Sequence, residues 1–212
     1  MKRSLAVFLL LAVSALAGCA HPAGPAAGGG WITLLDGKTL ENWNRIGDAN
    51  WRIEDGAAVA DAGNGFLVTK QTFGDFELRA EFYVDENANS GVFIRCSDPK
   101  KPASATGYEV NIFDKRPDPS YGTGAIVGVA KAQPAIKAGG QWNTYEITAR
   151  GDQITVVLNG VRTAFARDGK HPSGHIALQH GEDSVKNTAL VKFRKVEIRS
   201  LAAAAGPAGR GY

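Results

Sequence analysis

The chain has 212 residues, with 24 lysines and arginines against 21 aspartates and glutamates, a formal net charge of +3. That near balance excludes a nucleic-acid partner held by a basic surface. Two cysteines are too few for a disulfide scaffold.

Residues 1–18 read as a secretory signal: Lys2 and Arg3, then the apolar run Leu5–Leu16, then Leu16-Ala17-Gly18-Cys19, a lipobox-type ending. The run is shorter than the roughly 20 residues a membrane span needs. The expected outcome is cleavage before Cys19 and acylation of its thiol, since two or more acyl chains anchor firmly. This predicts a protein held at a cell envelope, meeting the membrane through its lipid. Losing Lys2 and Arg3 leaves 22 basic residues against 21 acidic. With Cys19 acylated, Cys96 stands alone and has no partner for a disulfide. Residues 19–30 form a tether, which after Cys19 is Ala, Gly and Pro with one His. Residues 202–212 form a similar tail, which leaves 31–201 as one domain.

Within that domain no segment shows a sustained 3.6-residue apolar period. Short alternating runs punctuated by Gly, Asp, Asn and Pro predict an all-β fold. Trp31–Leu35 leads into an Asp36-Gly37 turn, and Glu54-Asp55-Gly56 sits between two apolar runs as a hairpin signal. Gly65–Lys70 is a short strand. Phe76–Val84 alternates most strictly, with Phe76, Leu78, Ala80, Phe82 and Val84 on one side. Glu77, Arg79, Glu81 and Tyr83 lie on the other and read as a charged exterior.

Asn89–Arg95 places Val92 and Ile94 on one face, Phe93 and Arg95 on the opposite one, with Cys96 continuing the aliphatic face. Gly107–Asp114 places Val110 and Ile112 inward and Glu109, Asn111 and Phe113 outward. Lys115–Gly124 reads as a long loop beside them, and Ala125–Val129 as a short strand. Trp142–Arg150, Gln153–Leu158 and Val161–Ala166 are successive hairpin strands, the last pair joined by Asn159-Gly160. His175–His180 and Leu190–Ser200 complete eleven or twelve strands. One sheet that wide would leave apolar faces in water, so two packed antiparallel sheets are expected, a jelly-roll-like β-sandwich. Trp43, Trp51 and Trp142 are expected in its core.

The polar faces of the two neighbouring strands bring a guanidinium, a carboxyl, an amide and aromatic rings to one surface. That set suits a polar ligand better than it suits structure. The stretches Leu34–Lys38 with Trp43, Trp51–Gly56, Phe66–Lys70, Gly74–Leu78, Asn89–Arg95, Gly107–Asp114, Gln141–Glu146, Asn159-Gly160, His175–Gly181 and Phe193-Arg194 occur in order through nearly the whole domain. In them the chain resembles the bacterial 3-keto-disaccharide (3-keto-glucoside) hydrolases. The resemblance implies a concanavalin-like sandwich and a small-molecule substrate, a glycoside already oxidised at C3. There the ketone acidifies the C2–H bond, a base takes that proton, the enolate expels the group at C1, and water adds back.

The resemblance points to this location, and residue type gives the roles: the expected base is Glu109, the enolate clamp Arg95 and the acid for the leaving oxygen His180. Lys70, Asn111, Asp114 and Gln179 are expected substrate contacts. The chain departs from the family pattern at several positions. Asn111 replaces a usual Gln, Val68 a usual aromatic and Lys195 a usual Asn, and Gln179-His180-Gly181 is one residue short. In strict alternation His180 shares the face of Ile176 and Leu178, whereas an early strand end at Gln179 would return its ring to the site.

No cofactor is firmly implied. His171 and His175 stand beside turns where a divalent metal could meet them, without a Cys/His cluster. An ordinary retaining glycosidase needs a second acid near Glu109, and Asn111 and Phe113 follow on its face instead. The alternative is a carbohydrate-binding, lectin-like envelope lipoprotein without turnover.

Overall fold

Period-two burial is the dominant feature of the chain, and it folds into two stacked antiparallel sheets in the computed structural model, which describes residues 29–182, 186 and 188–201. The strands are β1 (Ile32–Leu35), β2 (Trp43–Gly47), β3 (Arg52–Glu54), β4 (Ala57–Ala60), β5 (Gly65–Phe73), β6 (Phe76–Val84), β7 (Ser90–Cys96), β8 (Tyr108–Ile112), β9 (Gln141–Arg150), β10 (Gln153–Leu158), β11 (Val161–Arg167), β12 (Gly174–His180) and β13 (Val191–Ser200). A single 3-10 turn, Pro119–Tyr121, is the one helical element among the described residues. The expected all-β sandwich is therefore what forms. The proposed signal, Cys19, most of the tether and the tail lie outside the described residues.

An eight-stranded sheet runs β11-β10-β9-β6-β13-β4-β3, with β1 also paired to β13. A five-stranded sheet runs β2-β5-β12-β7-β8. Phe76, Leu78, Ala80 and Phe82 of β6 face Leu67, Val92, Ile94, Val110 and Leu178 of the smaller sheet across one continuous core. Tyr145 on β9 spans the two layers. Its hydroxyl donates to the Asn111 carbonyl at 2.5 Å and accepts from Gly124 N at 2.8 Å.

The outer face of the larger sheet is the charged exterior that alternation predicts. Glu81 pairs with Arg194, Glu77 with Arg199, and Arg79 with Glu146. Trp142 departs from its expected core position: it is 39% exposed on this face, with the Arg194 guanidinium 4.3 Å above its ring. Trp43 and Trp51 do lie in the core.

One end of the sandwich is tied by Arg95, and here strict alternation fails. His175 pairs with Cys96 and Ala177 with Phe93, so Ile94 and Arg95 together oppose Ile176 in a β-bulge. Arg95 adopts φ +53, the left-handed region that non-glycine residues seldom enter. Its side chain is fully buried. Nε donates to the Gly74 carbonyl at 2.9 Å, Nη1 to those of Gly151 at 2.8 Å and His171 at 3.3 Å, and Nη2 to Asp75 Oδ1 at 3.0 Å. Asp75 Oδ1 also accepts from Gly151 N at 2.9 Å. One guanidinium therefore fastens the β5–β6 turn, the β9–β10 turn and the loop before β12. Past the bulge the faces exchange, and Cys96 joins Val68, Phe93 and Ala177 on the outside of the smaller sheet instead of the inner aliphatic face.

Replacing Arg95 with Met leaves Asp75 and three carbonyls without their donor. The expected cost is about 3–5 kcal/mol in urea unfolding. A loss below about 1 kcal/mol would show that the turns hold themselves.

Candidate active site

The outer face of the five-stranded sheet is the surface to which the sequence assigns the polar set. Registered pairs align its side chains in two rows. One runs Asn44, Val68, Ala177, Phe93, Glu109; the other runs Ile46, Phe66, Gln179, Gly91, Asn111. Phe66 and Phe93 meet edge to face at 5.4 Å. Both rows end in a polar residue on β8, and their middle, Val68, Ala177, Phe93 and Phe66, is apolar.

Glu109 sits where the apolar patch ends. Burial against it pushes the carboxyl from an ordinary 4.5 up to about 7, with the Arg116 guanidinium pulling weakly the other way. Cys96, in the same patch, is pushed up to about 12 by burial, with the Glu109 charge adding to it. The thiol is thus neutral at any physiological pH and is packing, not a nucleophile. Beside Glu109, Gln179 Oε1 and Asn111 Oδ1 are both buried without a hydrogen-bond partner. The Asn111 amide nitrogen is engaged, donating to the Tyr121 carbonyl at 2.7 Å.

The free edge of β8 is closed by the chain that follows it. Asn111 N donates to the Ala125 carbonyl, Gly124 N to the Asn111 carbonyl, and Val127 N to the Glu109 carbonyl, each at 3.0 Å. The predicted strand at 125–129 is this irregular edging, held by isolated bridges between Val110, Ile126 and Ala130. It fixes the backbone that carries Glu109 and keeps the edge from pairing elsewhere.

Of the expected site residues, Glu109, Asn111 and Gln179 come together. Arg95 does not: the bulge turns it into the carbonyl cage at the end of the sandwich, so it cannot clamp an enolate beside Glu109. His180 also points away. It is 1% exposed, with Nδ1 2.8 Å from the Gly63 carbonyl and Nε2 2.8 Å from that of Ala189, edge-on to Trp51. Strict alternation, not an early strand end, describes it. Both ring nitrogens are engaged, so it is not the leaving-group acid.

Asp114 accepts from Thr123 Oγ1 at 2.6 Å and from the amides of Ala138 and Gly139, which makes it a pin for two loops rather than a substrate contact. Lys70 is exposed in a cleft with Ile32 and Gln71. It lies on β5, three strand spacings or about 14 Å from β8, too far to share one sugar ring with Glu109. Glu81 belongs to the other sheet and pairs with Arg194.

Two residues of this surface escape the sequence reading. Arg116 follows the turn closed by Arg116 N and the Phe113 carbonyl, and its field reaches Glu109. A cation two residues past Asp114 was the available signal. Gly91 lies inside a strand whose every residue is buried, where a missing side chain marks a close approach or a space. Among the described residues no three His, Cys, Asp or Glu side chains gather in a way that could hold a metal ion.

A family model described as the 3-keto-alpha-glucoside-1,2-lyase-like domain matches residues 30–199. The chain belongs to this family. A 3-keto-disaccharide hydrolase of Bacteroides thetaiotaomicron is 29% identical over 155 aligned residues, covering 58% of this chain and 53% of that protein. The chain thus spans about half the length of that relative. A crystal structure from Parabacteroides distasonis, described as a candidate glycosyl hydrolase, is 28% identical with TM-score 0.66, covering 82% of this chain and all of the other. A carbohydrate-binding module from Bacillus subtilis shares the fold at 16% identity and TM-score 0.59, over 75% of this chain and 96% of its own. The lyase-like domain is thus a sandwich of the lectin type, and Glu109, Asn111 and Gln179 all fall inside the matched region.

Because the folded-state value of Glu109 is raised, its contribution to stability is full below about pH 4.5 and is lost as pH rises through about 7. Glu109→Gln should therefore unfold at a higher temperature than the parent at pH 8. The gain is up to roughly 3 kcal/mol, shrinking as pH falls toward 4.5. A variant less stable than the parent at pH 8 would refute the burial argument.

Proposed function

We propose that this domain cleaves glycosidic bonds of sugars oxidised at C3, with Glu109 as the base that takes the C2 proton. The observation that carries the reading is a lone, desolvated carboxyl poised near neutrality at the edge of an apolar patch, in a chain of the 3-keto family. A base works best when its pKa lies near the working pH. The proton passes from C2 to the Glu109 carboxylate, and the C–H electron pair forms the enolate of the C3 ketone. The enolate then reforms the ketone, a C1–C2 double bond appears, and the C1–O bond breaks. The departing oxygen takes a proton from water or from the carboxylic acid that Glu109 has become. Water adds at C1 and a proton returns to C2, so the sum is hydrolysis.

Arg116 supplies the positive field near the enolate, the role that residue type alone assigned to Arg95. Gln179 and Asn111 hold hydroxyl groups of the ring. With Cys19 acylated, the reaction runs at the cell envelope on a short tether. Incubation with a 3-keto glucose disaccharide, beside its unoxidised parent, tests the reading directly. Release of sugar from the keto form alone is expected; cleavage of the parent alone overturns the mechanism. Saturable binding with no release leaves a carbohydrate-binding domain.

Two variants sharpen the test. Glu109→Gln should lower kcat by about 10²–10⁴-fold. In the parent, kcat/KM should rise with pH through an acid limb near 7. Arg116→Gln should move that limb upward, because the guanidinium is what opposes the burial shift, and should lower kcat about tenfold or more. An unmoved limb with full turnover removes Arg116 from the site.

A further inference from the structure

A departing sugar oxygen needs a proton, and His180 is not free to give one, because both its ring nitrogens are engaged. A second histidine stands on the outer face of the smaller sheet. Along β12, Ile176, Leu178 and His180 face inward, so His175, Ala177 and Gln179 face outward. His175 is half-buried there.

Both strands beside His175 are bulged at the same place. Ile94 and Arg95 of β7 stand opposite Ile176, and so do Thr69, Lys70 and Gln71 of β5, because Ala177 pairs with Val68 and His175 with Thr72. The Thr69 side chain enters the gap: its hydroxyl accepts from Ile176 N at 3.0 Å and donates to the Gln71 carbonyl at 2.8 Å. The Thr69 carbonyl meets His175 Nδ1 at 2.7 Å. A carbonyl only accepts, so Nδ1 carries a hydrogen, and Nε2 is the nitrogen left to gain and lose a proton. Bulges re-aim side chains and are frequent beside active sites.

Glu109, Phe93 and Ala177 lie in one registered row, and Cys96 pairs with His175 in the next. Glu109 and His175 are thus separated by two strand spacings across and one side-chain step along β12, which puts their Cα atoms about 12 Å apart. Phe93, Ala177 and Cys96, members of the apolar patch, floor the space between them. Gln179 lies on the other side of Ala177 from His175.

We infer that His175 is the acid for the leaving group, with the oxidised ring seated by Glu109 and Gln179 and the glycosidic oxygen carried over the apolar floor toward Nε2. This rests on the proposed hydrolase reading and gives the leaving group its own donor in place of water or Glu109. As the C1–O bond breaks, its electron pair goes to the departing oxygen, which takes the proton from Nε2. The enolate becomes a ketone with a C1–C2 double bond. Water then yields a proton to Nε2 as its oxygen bonds to C1, and Glu109 returns the other proton to C2. Both side chains end as they began. The substrates that need this donor are disaccharides and alkyl glycosides, whose alkoxides leave poorly without a proton.

The test uses the full chain with His175→Asn, whose amide keeps a donor for Thr69 and lacks Nε2, and His175→Gln as a second variant of longer reach. Both should melt with the parent. In heavy water His175→Asn should still exchange the C2 hydrogen of a 3-keto glucose disaccharide above the uncatalysed rate, while its release of sugar falls about 10²-fold or more. Glu109→Gln should lose exchange and release together. On a 3-keto glucoside of nitrophenol, whose oxygen departs without an added proton, the loss in His175→Asn should be smaller by a factor of about ten or more. Equal losses on the two substrates, or exchange lost along with release, make His175 structural and overturn the inference. Parent-like release of sugar by the folded variants overturns it too. In each of those cases the parent still cleaves and the hydrolase reading stands; a parent that neither exchanges nor cleaves overturns both.

Discussion

A single buried guanidinium, that of Arg95, is the constraint on which the arrangement of this domain turns. It satisfies three carbonyls and one carboxylate drawn from turns of both sheets. Those groups could not otherwise be buried together without heavy cost. Its geometry requires the bulge in β7 and a left-handed backbone at Arg95 itself. The bulge sends Cys96 outward to complete the apolar patch of Val68, Phe93 and Ala177. That patch is the low-dielectric surround that lifts Glu109. The residue that looks catalytic on sequence grounds thus acts on the site at a distance, through the packing it imposes.

The site carries a conflict between stability and chemistry. An ionised Glu109 is poorly solvated, and two amide oxygens next to it lack donors. Apolar residues at the same positions would pack with less strain on the fold. The edging strip from Gly124 to Val127 and the Tyr145 hydroxyl are what keep this uncomfortable surface in place. The inner face of the same sheet, by contrast, is mostly apolar, with Leu67, Val92, Ile94, Val110 and Leu178 in the core. Destabilising groups concentrated on one face of an otherwise well-satisfied sandwich mark where a ligand is expected to complete the structure.

How much of this could be read from the chain depends on which residues obey period two. Phe76–Val84 and Trp142–Arg150 alternate without interruption, and their faces are as the pattern predicts; Trp142, expected in the core as a tryptophan, follows the alternation outward to Arg194. The Asn159-Gly160 turn behaves as its residues demand. Glu109, Asn111 and Gln179 converge because β7, β8 and β12 stay in register between Ser90 and Phe93. Two residues later the register slips, and Arg95 is lost to the site. No local signal announces that slip, because the partners that select it, Gly74, Asp75, Gly151 and His171, are distant in sequence. His180 was undecidable for a similar reason, since its carbonyl partners at Gly63 and Ala189 belong to separate loops. The direction of Arg116 is not legible in the chain, because a loop has no period from which to infer it.

The pinning of the chain around Asp114 has a bearing on how such domains diversify. Asp114 and Thr123 hold the two ends of the intervening segment together at 2.6 Å, and Asp118 closes the small turn within it onto Ser120. A segment whose ends are already joined can change length at little entropic penalty, since closure depends only weakly on loop size. Residues 115–122, Arg116 included, therefore behave as an exchangeable cassette at the rim. Rewriting that cassette would leave the two-sheet sandwich beneath it, and the carboxyl that sandwich presents, untouched.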